Sequence, residues 1–92
     1  MAKLLGSEML GQNIRRIRAE RGLTQEQTVA KLQVLGSPLS RSTYSLIEMG
    51  RGNLFVNDLV ALKMVFQVDY DEFFRGIGPS RQSRTEEQNR DP

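Results

Sequence analysis

Residues 24–50 read TQEQTVAKLQVLGSPLSRSTYSLIEMG, and the reading of this stretch decides the fold. Thr24 stands at an N-cap position and Gln27, three residues on, completes a capping box, so a helix opens at Thr24-Gln25-Glu26. Val29 and Leu32 face inward, and the pattern continues through Val34 and Leu35 to Gly36. Ser37-Pro38 then ends it, because the residue before a proline is pushed out of the α region. A second helix starts with Ser40 as N-cap and runs to Met49, with Gly50 as its stop. Short polar residues crowd its first turn, while Tyr44 and Ile47 are spaced to anchor it from behind. Two helices in this relation predict a helix-turn-helix, whose second helix brings its N-terminal side chains to base edges in a major groove.

Working outward, a first helix is predicted over residues 10–21. Leu10, Ile14 and Ile17 form its apolar stripe, Arg15, Arg16 and Arg21 lie off it, and Gly22 ends it. Beyond the core motif, Arg51-Gly52-Asn53 reads as a turn. A fourth helix, capped by Asn57, runs to about Phe66 with Leu59, Leu62, Val65 and Phe66 on its inner face. The last, short helix opens at Asp69 with a capping box to Glu72 and carries Phe73 and Phe74. Capping accounts for the neighbouring carboxylates Asp69, Asp71 and Glu72 without a metal or an acid–base pair. Residues 1–9, with Leu4 and Leu5, form an N-terminal arm that either adds a turn to the first helix or packs against a partner chain. Residues 10–76 make the domain. From Ser80 to Pro92 there is no apolar side chain, so residues 77–92 read as a disordered polar tail. With no alternation of period two, the expected fold class is all-α: five helices and nothing else.

Composition narrows the function classes. The chain has no cysteine and no histidine, which removes disulfides, thiolate metal sites and the commonest general base. No apolar run approaches the roughly 20 residues needed to span a bilayer, and the N-terminus lacks a signal-peptide pattern, so a cytoplasmic protein is expected. The net charge of +2 says little by itself, but its distribution says more. Residues 1–56 hold eight Lys/Arg against four Asp/Glu, whereas residues 57–92 hold five against seven. The positive excess sits on the half that carries the helix-turn-helix, as phosphate binding requires. A solvated arginine-rich face would give the same composition.

The ordered motifs carry a resemblance. They are Ile14-Arg15-x-x-Arg18, Gly22-Leu23-Thr24-Gln25, Ser40-Arg41-Ser42-Thr43 running into Ile47-Glu48-x-Gly50, then Leu62 and Val68-Asp69-x-Asp71-Glu72-Phe73. On these, residues 10–75 resemble the Cro/cI-type (XRE) helix-turn-helix domain, the lambda-repressor-like fold of phage repressors and many bacterial regulators. The resemblance implies that Gln25 meets a phosphate in the first turn of the second helix; otherwise it is simply a good helix former. It implies that Arg41 and Ser42 read bases, arginine having the donors for guanine O6 and N7; the alternative for Arg41 is a phosphate contact. Ser45 and Leu46 lie one turn further along the same face, Thr43 and Arg51 are phosphate contacts at opposite ends of the helix, and Asn53 assists from the turn. Arg18 and Glu48 are implied to form a structural ion pair tying the first helix to the end of the third.

Three positions depart from the family pattern. Leu46 stands where a long polar residue is common and would pack on thymine methyl groups or have no DNA role. Val29 stands where alanine is favoured. The connection from Gln25 to Arg41 is longer than the common form, as in a subset of the family, the extra residues falling around Val34 to Leu39.

The expected function is a sequence-specific double-stranded-DNA-binding transcriptional regulator, a repressor acting on an operator as a homodimer in a bacterium or phage, associated with the nucleoid. The alternatives are the antitoxin of a toxin–antitoxin pair, with the tail as the segment for a protein partner, and a protein-interaction module that has lost DNA binding. No enzyme, cofactor, metal or membrane partner is expected. Tyr70, Phe73, Phe74 and Ile77 form the expected dimer interface, since a two-turn helix buries only about two of them against its own domain. Leu4 and Leu5 are the alternative seam.

Overall fold

The computed structural model describes residues 3–4 and 8–78, which form five helices and one very short ladder. In chain order these are β1 (Lys3–Leu4), α1 (Glu8–Glu20), α2 (Gln25–Val34), α3 (Arg41–Glu48), β2 (Leu54–Phe55), α4 (Val56–Phe66) and α5 (Tyr70–Phe73). The all-α expectation stands, with one addition. β1 pairs antiparallel with β2, Lys3 opposite Phe55 and Leu4 opposite Leu54, so the N-terminal arm is tied to the segment between α3 and α4 rather than extending α1 through these residues. Leu5 and the tail from residue 79 onward lie outside the described residues.

The local signals explain the two central helices. Thr24 accepts from the Gln27 amide at 3.0 Å, and the Gln27 side chain accepts from the Thr24 amide at 2.9 Å, which is the reciprocal box. Ser40 Oγ accepts from the Thr43 amide at 3.2 Å. Gly50 adopts φ +77° beyond α3, the left-handed conformation that a side chain resists. Between α2 and α3 the connection is held at several points. Leu39 drops into the core, Gln33 Nε2 donates to its carbonyl at 3.3 Å, and Ser37 Oγ lies 3.4 Å from the buried Asp58 carboxylate.

Three expectations need correction. α1 begins at Glu8, two residues earlier than the periodicity placed it, with the Glu8 carboxylate in the first turn, where the helix dipole favours negative charge. The N-cap of α4 is Phe55, not Asn57: the Asp58 carboxylate reaches back to the Phe55 amide at 3.1 Å, and Asn57 is left exposed in the first turn. Asp69 does occupy the N-cap of α5, but no side-chain capping bond forms there. Glu72 turns instead to Arg75 at 2.9 Å and Arg16 at 3.5 Å, because two guanidinium groups outcompete one backbone amide for a carboxylate. Asp69 thus holds the N-cap position without a capping bond, and ion pairs rather than a capping box account for Glu72.

One core joins all five helices. Leu10, Ile14 and Ile17 of α1 meet Tyr44 and Ile47 of α3, with Val29, Leu32 and Leu39 on one side and Leu59, Leu62, Phe66 and Phe73 on the other. Phe66 and Phe73 are fully buried with ring centroids 6.4 Å apart, within the range of favourable aromatic pairs. Each such side chain contributes about 1.5–3 kcal/mol on burial, which is how a chain this short holds a fixed α3.

Candidate nucleic-acid interface

α3 presents one face to the core and one to solvent, as its strong amphipathic pattern requires. Tyr44, Ile47 and Glu48 are buried, whereas Arg41, Ser42, Leu46 and Met49 are exposed, with Thr43 and Ser45 half-buried between. The Arg41 side chain makes no hydrogen bond or ion pair among the described residues, so its five guanidinium donors are free. The Ser42 and Thr43 hydroxyls lie 3.2 and 3.1 Å from Ser40 Oγ, a local cluster at the helix start that orients both. Arg51 and Asn53 are exposed just past α3; the Arg51 amide is fixed by the Leu46 carbonyl at 2.8 Å, while its side chain has no hydrogen bond or ion pair among the described residues.

Behind this face a polar cluster fixes α3 against α1 and α2. Arg18 donates from Nε to Glu48 Oε2 at 2.6 Å and from a terminal nitrogen to Oε1 at 3.0 Å, a two-point pairing, and also to the Leu23 carbonyl at 2.8 Å. The ion pair implied by the family resemblance is therefore present, and it is largely buried. Burial by itself would push the Glu48 carboxyl up; the Arg18 guanidinium and the Tyr44 and Gln25 groups facing it outweigh that and hold it below the usual range. The Arg18 hydrogen bond to Glu48 likewise raises the arginine. Tyr44 is pushed far up, first by burial and then by the neighbouring carboxylate. Its hydroxyl faces that carboxylate but completes no hydrogen bond of good geometry among the described residues.

Gln25 is more engaged than its position in the first turn of α2 suggested. Its Nε2 donates to Glu48 Oε1 at 3.0 Å, so the amide that was expected at a phosphate is part of the cluster that holds α3. One amide hydrogen remains for an outside acceptor.

The expected dimer surface requires a correction. Phe73 has no exposed surface and belongs to the core against Phe66, because the short α5 turns this ring, not its neighbour, toward α1 and α4. Ile77 is half-buried on the core. Tyr70 and Phe74 remain exposed at 39% and 41%, and Lys63 Nζ sits 5.2 Å above the Tyr70 ring.

Four residues with structural work were not singled out by sequence. Gly11 lets α1 lie against the end of α3. Asn13, buried on the core side of α1, donates to the Phe73 and Arg75 carbonyls, both at 2.9 Å, and so closes α5. Arg21 caps α4 through the Phe66 carbonyl at 2.7 Å, and Asp58 ties the α2–α3 connection to α4. A glycine and an asparagine beside an apolar helical stripe were the available signals.

A family profile described as a helix-turn-helix domain matches residues 9–73, from α1 to the end of α5. No curated protein matches the chain.

Proposed function

We propose that this chain, which belongs to the helix-turn-helix domain family, regulates transcription as a repressor, binding a double-stranded operator as a homodimer with α3 in the major groove. The carrying observation is the division of labour on α3. Its buried side is locked by Arg18, Gln25 and Glu48, while Arg41 and Ser42 stand exposed at its N-terminal end. A rigid helix with free donors at its leading end is what base readout needs. Arg41 and Ser42 read bases in this proposal, Thr43, Arg51 and Asn53 meet the backbone, and Gln25 offers its remaining amide hydrogen to a phosphate. One module of this size covers too little DNA for tight specific binding, and a two-fold pair on half-sites a turn apart is the physical remedy. Occupancy of the operator then excludes other proteins from the same groove, which is the basis for repression.

Selection of bound sequences from a random duplex pool tests this. A palindromic consensus supports the reading; recovery of no preferred sequence overturns it. A reporter placed behind the selected site should be expressed less when the chain is present, and increased expression would reverse the sign assigned.

A second reading has one specific observation in its favour. Leu46 and Met49 are both exposed on the outward side of α3, at 41% and 48%, which suits a protein surface better than a phosphate-lined groove. Affinity for random duplex DNA that stays constant as salt rises would favour that reading, since counterion release makes DNA binding fall steeply with salt.

A further inference from the structure

Four arginines lie along α1 and just after it, and three are engaged by the fold. Arg16 bridges Glu20 at 3.2 Å and Glu72 at 3.5 Å. Arg18 is paired with Glu48, and Arg21 donates to the Phe66 and Gln67 carbonyls. Arg15 is exposed, and its side chain makes no hydrogen bond or ion pair among the described residues. Like Arg18, it lies beside α3. A hollow of about 230 Å³ opens between the three helices, lined by Arg15, Arg18, Gln25, Ser45, Glu48 and Met49. Within it the Glu48 charge is neutralised by Arg18, and the Gln25 amide is turned to Glu48. The uncompensated charge at the rim is that of Arg15, and the Ser45 hydroxyl beside it has no partner among the described residues. A guanidinium with five donors next to a free hydroxyl suits an oxygen of a phosphodiester, which brings one negative charge and several acceptors.

We infer that Arg15 and Ser45 form a backbone-phosphate subsite, so that α1 as well as α3 grips the duplex. The inference rests on the DNA-binding reading and adds to it a contact from a different helix. Ser45, expected among the DNA-contacting residues, thereby takes a backbone role, because it is half-buried and faces the hollow rather than the leading end of α3. The subsite carries no sequence information. It sets how far α3 is pressed into the groove, since it anchors the strand that flanks it.

The test compares wild type, Arg15→Gln, Arg15→Lys and Arg75→Gln on random duplex and on a selected site, each over a range of salt. Arg75 is an exposed arginine that does not line the hollow and is paired with Glu72, so it controls for the loss of one positive charge elsewhere on the domain. Arg15→Gln should weaken binding to every sequence by the same factor and reduce the slope of log affinity against log salt by about 0.9, the value for one phosphate no longer neutralised. Arg15→Lys should restore the slope, Arg75→Gln should leave it unchanged, and the thermal midpoints of wild type and both Arg15 variants should agree. An unchanged slope for Arg15→Gln, or a change no larger than that of Arg75→Gln, overturns the subsite while leaving DNA binding intact. A loss confined to one base pair would make Arg15 a base contact and overturn it equally. Wild type that binds no duplex would remove the DNA-binding reading itself, and the subsite with it.

Discussion

Gly11 and Ile47 bring the backbones of α1 and α3 into direct apposition: a Cβ on Gly11 would lie 2.5 Å from the Ile47 carbonyl oxygen and 2.6 Å from that of Glu48. No side chain fits there, and the obstacles are backbone atoms that cannot swing aside. Gly11→Ala should therefore destabilise the domain by about 1–3 kcal/mol through overpacking, although alanine favours an isolated helix by roughly 1 kcal/mol. Thermal unfolding reads the sign. A Gly11→Ala protein that melts higher than wild type would show that the two helices have room to separate.

The same junction is held by Arg18 and Glu48. Removing either partner leaves a largely buried charge alone, which costs about 3–5 kcal/mol, so Arg18→Ala and Glu48→Ala should each destabilise strongly. The double variant should lose less than the sum, because neither charge is then stranded. Strict additivity in denaturant titrations would mean that the two groups do not interact in solution.

Acid should act on this pair in a defined direction. Folding lowers the Glu48 carboxyl, so its contribution is fully present above the ordinary carboxylate pKa and is lost as pH falls through the folded value. The stability gap between wild type and Glu48→Gln should thus be widest near neutrality and close on acidification. Unfolding curves at several pH values check this. A gap that persists undiminished in strong acid would show that the Glu48 charge is not what stabilises the junction.

Gln67 ends α4 with φ 57° and ψ 52°, the left-handed region where a side chain costs about 1–2 kcal/mol. Arg21 holds this corner through the backbone carbonyls of Phe66 and Gln67, contacts that survive any side-chain change. Gln67→Gly should raise stability by about 0.5–1 kcal/mol, the strain relieved less the added chain entropy of glycine. A lower melting temperature would assign the Gln67 side chain a stabilising contact of its own.

Sequence carried the parts of this fold that are written in local hydrogen bonding. Thr24, Ser40 and Gly50 mark helix ends because the groups they satisfy lie within a few residues of them. The ion pair of Arg18 and Glu48 was legible only through the family resemblance, since nothing in the spacing of two residues thirty apart demands it. Gly11, Asn13 and Asp58 escaped because their partners are distant backbone or turn atoms that become neighbours only after the helices pack. Phe73 and Phe74 show the same limit at shorter range. Either ring satisfies the apolar pattern of a one-turn helix, and only the approach of α1 and α4 decides which is buried. Among the expected site residues, exposure at Arg41 and Ser42 followed from the amphipathic pattern, but the Gln25–Glu48 bond needed the third dimension.

Arg41 separates base reading from simple charge. Arg41→Ala should cost about 1–3 kcal/mol on the selected site and relax preference at one base pair, with little effect on binding to random duplex beyond one charge. Competition binding against single-base variants of the site supplies the profile. Equal weakening on every sequence would make Arg41 a phosphate contact, and base reading would then rest on Ser42 and Leu46.

The homodimer in the proposed function needs a seam, and α5 supplies one of the exposed apolar surfaces away from the DNA-facing side of α3. Tyr70 and Phe74 remain open there, and Ile77 borders them, so a two-fold contact would remove two rings from water on each chain. The rival lies at the end of α2 and the outer side of α4, where Val34 is 85% exposed and shares a shallow groove with Leu35 and Met64. Phe74→Asp should shift sedimentation from dimer to monomer and lower affinity for a palindrome far more than for a single half-site, since only the palindrome draws on the linkage between two domains. Met64→Asp should leave both unchanged. The reverse result would move the seam to α2 and α4, and a wild type that stays monomeric even on a palindrome would exclude the dimer.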